Sequence, residues 1–215
     1  IVGMIRERNT PWSGNPARET TRQIGSLATS ASTLPDPQTG GEMMRVFLTG
    51  ATGFVGGYLL RQFSKDGHTP RALVRSEADA AAIREMGGEP IPADLLDPES
   101  IERCVQHIDV VVHCGRLPSE TEAELFFRAN TLGSLLLLEK ARTAGVKQFT
   151  FISSILVYGL KEAVYLPGDE KHPVSPLEQA GTYKVAIETC CQYYHSRHGM
   201  NTSVYRVGGV FGRAS

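Results

Sequence analysis

An α/β fold built on a doubly wound parallel sheet is predicted by three features of the sequence. From Met44 onward, short apolar runs alternate with longer helical patterns, as in a parallel sheet covered on both faces. The first run, Arg45-Val46-Phe47-Leu48-Thr49, passes through the Gly-punctuated turn Gly50-Ala51-Thr52-Gly53-Phe54-Val55-Gly56 into an amphipathic stretch with Val55, Leu59, Leu60 and Phe63 at helical spacing. Strands near 45–49, 69–74, 89–93, 108–114, 147–153 and 202–207 enclose helical patterns near 54–66, 77–86, 98–106, 122–144 and 177–198. With right-handed crossovers the natural strand order is 3-2-1-4-5-6, and ligands belong at the carboxyl ends of the strands.

The 215 residues, 41% hydrophobic with a formal net charge of -1, suffice for the core of one ordinary domain. No basic excess points to nucleic acid. No apolar run approaches the roughly 20 residues that span a bilayer, so no membrane partner is expected. Cys104, Cys114, Cys190 and Cys191 lack C-x-x-C spacing and read as reduced thiols of a cytoplasmic chain. His195 and His198 lack the spacing and the Glu of a zinc helix, so no metal is expected.

Residues 1–43 are rich in Ser, Thr, Pro, Gly and Arg without periodicity and read as a disordered leader or non-native extension, leaving 44–215 as the folded domain. Since the chain opens on Ile1, it is expected to be part of a longer protein.

The turn after the first strand suits a phosphate. Gly50 allows a sharp turn, Gly53 lets the backbone approach a pyrophosphate, and Gly56 lets the helix sit tightly on the sheet. Free N–H groups and the positive end of the helix dipole then face the anion. The alternative is a glycine-rich turn with no ligand. With Thr49 in front, the spacing resembles the T-G-x-x-G-x-x-G loop of the short-chain dehydrogenase/reductase superfamily, and Gly-Ala-Thr-Gly-Phe-Val-Gly resembles its extended, epimerase/dehydratase branch. The resemblance implies a Rossmann domain that binds NAD or NADP, with Gly50, Thr52, Gly53, Phe54, Val55 and Gly56 on the cofactor.

The second strand ends in Arg75, where a dinucleotide fold reads the adenosine ribose. An acid there would bind the 2′-hydroxyl of NAD, whereas a guanidinium fork suits a 2′-phosphate, so Arg75 favours NADP. A solvated arginine beside Glu77 is the alternative. The third strand closes on Ala93-Asp94-Leu95-Leu96-Asp97, similar to the family's G-D-L/V segment, which implies Asp94 on the adenine amino group and Leu95 against the ring. Asp97 suits the N-cap of the next helix, with Pro98 in its first position.

Val110-Val111-Val112-His113-Cys114-Gly115-Arg116 is similar to the family's V-x-H-x-A-A segment, which places Cys114 and Gly115 under the cofactor ribose. Arg116 departs from the usual small residue, either crowding the site or meeting an anionic substrate. His113, inside an apolar strand, reads as a hydrogen-bonded core histidine. Asn130 in Asn130-Thr131-Leu132-Gly133 matches the family's N-x-x-G, implying a role in ordering the active-site backbone. Gly133 in a helix costs about 1 kcal/mol relative to Ala, so something is expected to pass close to it.

Ser153-Ser154-Ile155-Leu156-Val157-Tyr158-Gly159 matches the family's S-S-x-x-V-Y-G, implying that Ser154 binds the reacting oxygen. The family's base is a Tyr four residues before a Lys, with a Glu four residues later. Lys184 and Glu188 keep that register, which puts Ala180 in the Tyr position. Tyr183 is the nearby substitute, but adjacent helical residues point about 100° apart. The resemblance thus implies a catalytic set of Ser154, Lys184 and Asn130, with Lys184 also holding the nicotinamide ribose of the cofactor and Tyr183 as a displaced candidate. The resemblance runs from Met44 to Gly212 and implies a further C-terminal substrate subdomain that is missing here. Family members dimerise through helices like those at 122–144 and 177–198. Two functions stand: an NAD(P)-dependent oxidoreductase, epimerase or dehydratase acting on a nucleotide sugar or similar alcohol, and a non-catalytic dinucleotide-binding protein serving as redox sensor or assembly subunit.

Overall fold

Alternation of side chains along each strand sorts the core into two layers, one on each face of the sheet. In a computed structural model, which describes residues 5–7, 43–118, 120–159 and 168–212, the strands are β1 (Ile5–Glu7), β2 (Arg45–Thr49), β3 (Thr69–Val74), β4 (Glu89–Pro92), β5 (Val110–His113), β6 (Gln148–Ser154) and β7 (Thr202–Val207). The helices are α1 (Phe54–Lys65), α2 (Glu77–Glu85), α3 (Pro98–Val105), α4 (Ala123–Phe127), α5 (Gly133–Thr143) and α6 (Gln179–His198). Val46, Leu48, Val110 and Val112 face α1 and α2, burying Leu60 and Ile83, while Phe47 and Val111 face the opposite layer with Ile101, Leu137 and Ile187.

The sheet order is β1-β7-β6-β5-β2-β3-β4, with β2 to β7 all parallel. Counting those six alone gives the expected 3-2-1-4-5-6. Outside those six, β1 (Ile5–Glu7), a strand not expected from the sequence, pairs antiparallel with β7 on the outer edge. Residues 1–4 and 8–42 of the expected leader lie outside the described residues.

The stretch near 122–144 is not one helix. A single π-helical turn, Arg128–Leu132, separates α4 from α5 and carries Asn130. Such turns recur at functional sites because they re-aim one residue without ending the helix. Gly133 follows, and a Cβ there would sit 2.9 Å from Leu95 Cβ, so the close neighbour expected of this glycine is Leu95. Asp97 caps α3 by accepting from Glu99 N–H, with Pro98 in the first turn.

The parallel order reverses direction between β2 and β5. Their carboxyl ends, Thr49 and His113, are paired in register and open a crevice above them.

Candidate functional site

Gly50 adopts φ +69 and lies against Gly115, where an added Cβ would be 2.6 Å from the Gly115 nitrogen. A Cβ on Gly56 would fall 2.2 Å from the Gly50 carbonyl oxygen. The two glycines therefore let α1, the loop and the end of β5 close on one another. Gly53 forms the N-cap of α1 without any side-chain hydrogen bond. The first-turn N–H groups thus keep their donors for an anion.

A cavity of about 550 Å³ opens at this point. The loop lines it with Gly50, Thr52, Gly53, Phe54, Val55 and Gly56. Arg75, Asp94 and Leu95 line the end reached by β3 and β4, and Cys114, Gly115 and Asn130 line the end reached by β5 and the π turn. Glu77 is bound by Arg84 at 2.7 Å, so it is not the partner of Arg75. The shape and the uncapped helix terminus fit a dinucleotide.

Sequence reasoning missed Thr49, Asp79 and Leu117, which line the same cavity. Asp79 was legible: Ser76-x-x-Asp79 is a capping box, and Ser76 Oγ accepts from the Asp79 N–H and donates to its carboxylate at 2.8 Å. Leu117 carried no sequence signal.

Below the cavity floor, His113 is fully buried and bonded at both ring nitrogens. Ser134 Oγ donates to the Asn130 carbonyl, so it accepts from His113 Nε2–H at 2.7 Å. Nδ1 then accepts from the Thr49 hydroxyl, whose oxygen also accepts the Gly115 N–H at 3.0 Å. The chain ties the floor of the cavity to the π turn through a neutral imidazole. Burial, with the Lys184 charge second, pushes His113 down to about 3. A folded pKa below the unfolded 6.5 means that the unfolded chain binds more protons between those values, so His113 makes the fold lose stability as pH drops from 6.5 towards 3. Relative to His113→Gln, the unmodified chain should lose ~2 kcal/mol between pH 7 and pH 5, measured by urea unfolding at both pH values.

Ser154, Lys184 and Tyr183 stand outside the cavity lining. Ser154 ends β6 half-buried, its Oγ accepting from Leu156 N–H at the start of a 3₁₀ turn, Ile155–Tyr158. A Cβ on Gly181 would meet the Leu156 carbonyl at 2.6 Å, so α6 starts pressed onto that turn. Lys184 is buried, with Nζ donating to the Ile152 carbonyl at 2.6 Å and lying 5.0 Å from the Phe151 ring centre. Burial first, then the nearby Arg116 charge, lowers Lys184 to about 8.

Tyr183, the displaced catalytic candidate, is instead a core side chain. It is 1% exposed and packs edge-to-face on Phe126 with ring centres 5.5 Å apart. Burial drives its phenol well above its usual range. The reason is periodicity: Tyr183, Ile187, Cys191 and Tyr194 form the buried stripe of α6. Ala180 is buried as well, one turn before Lys184.

Comparison with known proteins agrees with this geometry. Over 185 residues, 79% of this chain and 54% of the relative, the sequence is 30% identical to the sterol-4-alpha-carboxylate 3-dehydrogenase, decarboxylating, of Dictyostelium discoideum. It is 36% identical over 146 residues to a 4-hydroxy-2-methyl-3-oxo-4-farnesyl-3,4-dihydroquinoline-1-oxide ketoreductase of Stigmatella aurantiaca, covering 64% of this chain and 41% of that one. The chain thus spans about half the length of the curated relatives it matches. The crystal structure of a short-chain dehydrogenase/reductase superfamily protein from Agrobacterium tumefaciens with bound NAD superposes with a TM-score of 0.68 at 26% identity, covering 74% of this chain and 48% of that one. Among the described residues no helix is long and apolar enough to cross a membrane. The model of the NAD dependent epimerase/dehydratase family matches residues 46–214, which hold the glycine loop and all of the parallel sheet but Arg45, and the chain belongs to that family.

Proposed function

We propose that the chain is the NAD(P)-binding part of an oxidoreductase, epimerase or dehydratase acting on an alcohol or carbonyl of a nucleotide sugar or similar small molecule. The observation that carries this reading is the uncapped, glycine-packed start of α1 opening into a cavity at the switch point between β2 and β5. The diphosphate lies against Gly50, Gly53 and Gly56 and is held by the free N–H groups of the first turn of α1, the Gly53 N–H being given to the Gly50 carbonyl. Asp94 and Leu95 take the adenine, and Cys114 and Gly115 lie beneath the ribose. A bound nicotinamide supplies the hydride donor or acceptor. On the protein side, the Ser154 hydroxyl holds the substrate oxygen, and Lys184, held by the Ile152 carbonyl, supplies positive charge beside it. A homodimer through α4, α5 and α6 belongs to this proposal, supported by the exposed Leu125, Leu132 and Tyr193.

Saturating NADPH should raise the melting temperature of the chain; no shift with either NADPH or NADH would remove the reading. Preference for NADPH rests on Arg75, which lines the cavity without a carboxylate partner among the described residues. Arg75→Ala should weaken NADPH by about 10- to 100-fold, the worth of a charge-assisted pair, with NADH changed by less than threefold in a fluorescence titration.

Ala180 favours the second reading, a dinucleotide-binding protein without turnover that acts as a redox sensor or assembly subunit. Counting back from Lys184 puts Ala180 in the register of the family's phenol, and Tyr183, the tyrosine beside Lys184 in sequence, is sealed in the core. Restoring the phenol with Ala180→Tyr separates the two readings. A gain of about 10²–10⁴ in cofactor-linked turnover of a sugar nucleotide supports the enzyme, and no gain favours the sensor.

A further inference from the structure

Leu117 is gripped from both sides. Its N–H donates to Asn130 Oδ1 at 2.7 Å, and its carbonyl accepts from Arg116 Nη1 at 3.1 Å. The first bond fixes which way the Asn130 amide points, so Nδ2 is the atom left over. Asn130 is 2% exposed, and Nδ2 has no hydrogen-bond partner among the described residues. A buried donor left unpaired costs about 1–3 kcal/mol, which a bound acceptor would recover.

Arg116 and Asn130 both line the cavity. Arg116 spends one of its donors on Leu117, and among the described residues no carboxylate pairs with it. The acids that share the cavity are otherwise engaged: Asp79 accepts from the Ser76 hydroxyl, and Asp94 accepts from Leu96 N–H at 2.8 Å. Lys184 stands outside the lining, where it feels the Arg116 charge and is offset by Glu188. Arg116 and Asn130 therefore give this end of the cavity donors and positive charge with no carboxylate paired to them among the described residues, whereas the cofactor's diphosphate has its own donors at the start of α1. A group made only of acceptors and carrying negative charge fits it.

We propose that Arg116 and Asn130 form a subsite for the anionic group, carboxylate or phosphate, of the substrate. The subsite rests on the reading of the cavity as a dinucleotide site. It also accounts for the guanidinium at a position where a small residue would suffice for the cofactor alone.

The test uses the whole ¹⁵N-labelled chain saturated with NADPH. Sodium acetate or sodium phosphate is titrated at constant ionic strength, with acetamide as the uncharged counterpart of acetate, while the Arg116 Nε–H and Asn130 side-chain resonances are followed. Both resonances should shift saturably with acetate or phosphate and not with acetamide. The tighter of the two anions identifies the group. Arg116→Met should weaken that binding at least tenfold and leave NADPH affinity within twofold. Absence of a saturable shift overturns the proposal. So does a tenfold loss of NADPH affinity in Arg116→Met, because the donors would then belong to the cofactor's diphosphate. Failure of NADPH to bind the unmodified chain, seen before any anion is added, removes the dinucleotide reading and this subsite with it.

Discussion

Gly56→Ala should weaken dinucleotide binding by two orders of magnitude or more while Gly53→Ala leaves the fold almost untouched. The added methyl at 56 would meet only backbone: the Gly50 oxygen at 2.2 Å, the Gly50 carbonyl carbon at 2.8 Å and Ala51 Cα at 2.9 Å. No side chain can rotate away, so α1 must move off the loop that precedes it. Overpacking of this kind costs about 1–3 kcal/mol in stability. The larger effect is on the ligand. Displacing the first turn of α1 misplaces at least two backbone donors to the diphosphate, and charge-assisted bonds are worth about 1.5–3 kcal/mol each. NADPH affinity should therefore fall by two orders of magnitude or more, as read by fluorescence titration. At Gly53 the nearest atom to an added Cβ is the Gly50 oxygen at 3.3 Å and the φ of -82 suits any residue. Gly53→Ala should cost under about 1 kcal/mol in urea unfolding. Equal NADPH affinity in Gly56→Ala and the unmodified chain would show that the loop does not hold the cofactor.

Arg206→Met should be the most destabilising single change in the sheet. Arg206 and Glu188 are both nearly buried, at 8% and 9% side-chain exposure, and their closest approach is 2.7 Å. Arg206 Nε also donates to both carboxylate oxygens at 3.2 Å, and Nη1 donates to the Tyr158 hydroxyl at 2.9 Å and the Glu170 carbonyl at 3.2 Å. Ser153 Oγ donates to the same carboxylate from the adjoining strand. Removing the cation leaves Glu188 buried with its hydrogen bond from Ser153 and the more distant Lys184 charge, and breaking a buried pair in this way costs about 3–5 kcal/mol. For a domain of this size that lowers the melting temperature by roughly 10 °C. The double variant Arg206→Met, Glu188→Leu should recover much of the loss, because the penalty lies in the orphaned charge rather than in the absence of the pair. A single variant within about 1 kcal/mol of the unmodified chain would show that Glu188 is stabilised by other means. The consequence reaches the site: Ser153 precedes Ser154, and Glu188 lies one helical turn beyond Lys184, so the ion pair locks β6, β7 and α6 together behind both.

Much of this was legible because it is written in local, periodic terms. Apolar runs of strand length between amphipathic stretches determined the parallel sheet, and handedness of the crossovers determined its order. Asp97-Pro98 announced the start of α3. Gly133 announced a close contact, though not that Leu95 would make it. The buried stripe through Tyr183, Ile187, Cys191 and Tyr194 was also legible, and reading it first would have put Tyr183 in the core. By contrast, the π turn at Asn130 leaves no mark on the apolar pattern, since a single extra residue in one turn shifts the register too little to be seen in so short a helix. Nor does three-residue β1 have a periodicity to read.

By itself, then, the sequence determined the layered sheet and the glycine loop at the end of its first parallel strand, because strand and helix periods and glycine's freedom act over a few neighbouring residues. Only the tertiary structure decided which side chains share a space. It set His113 between Thr49 and Ser134, sent Tyr183 inward, and brought Arg116 and Asn130 together on Leu117. Those pairings join residues from different elements, and burial and hydrogen-bond satisfaction in three dimensions settle them.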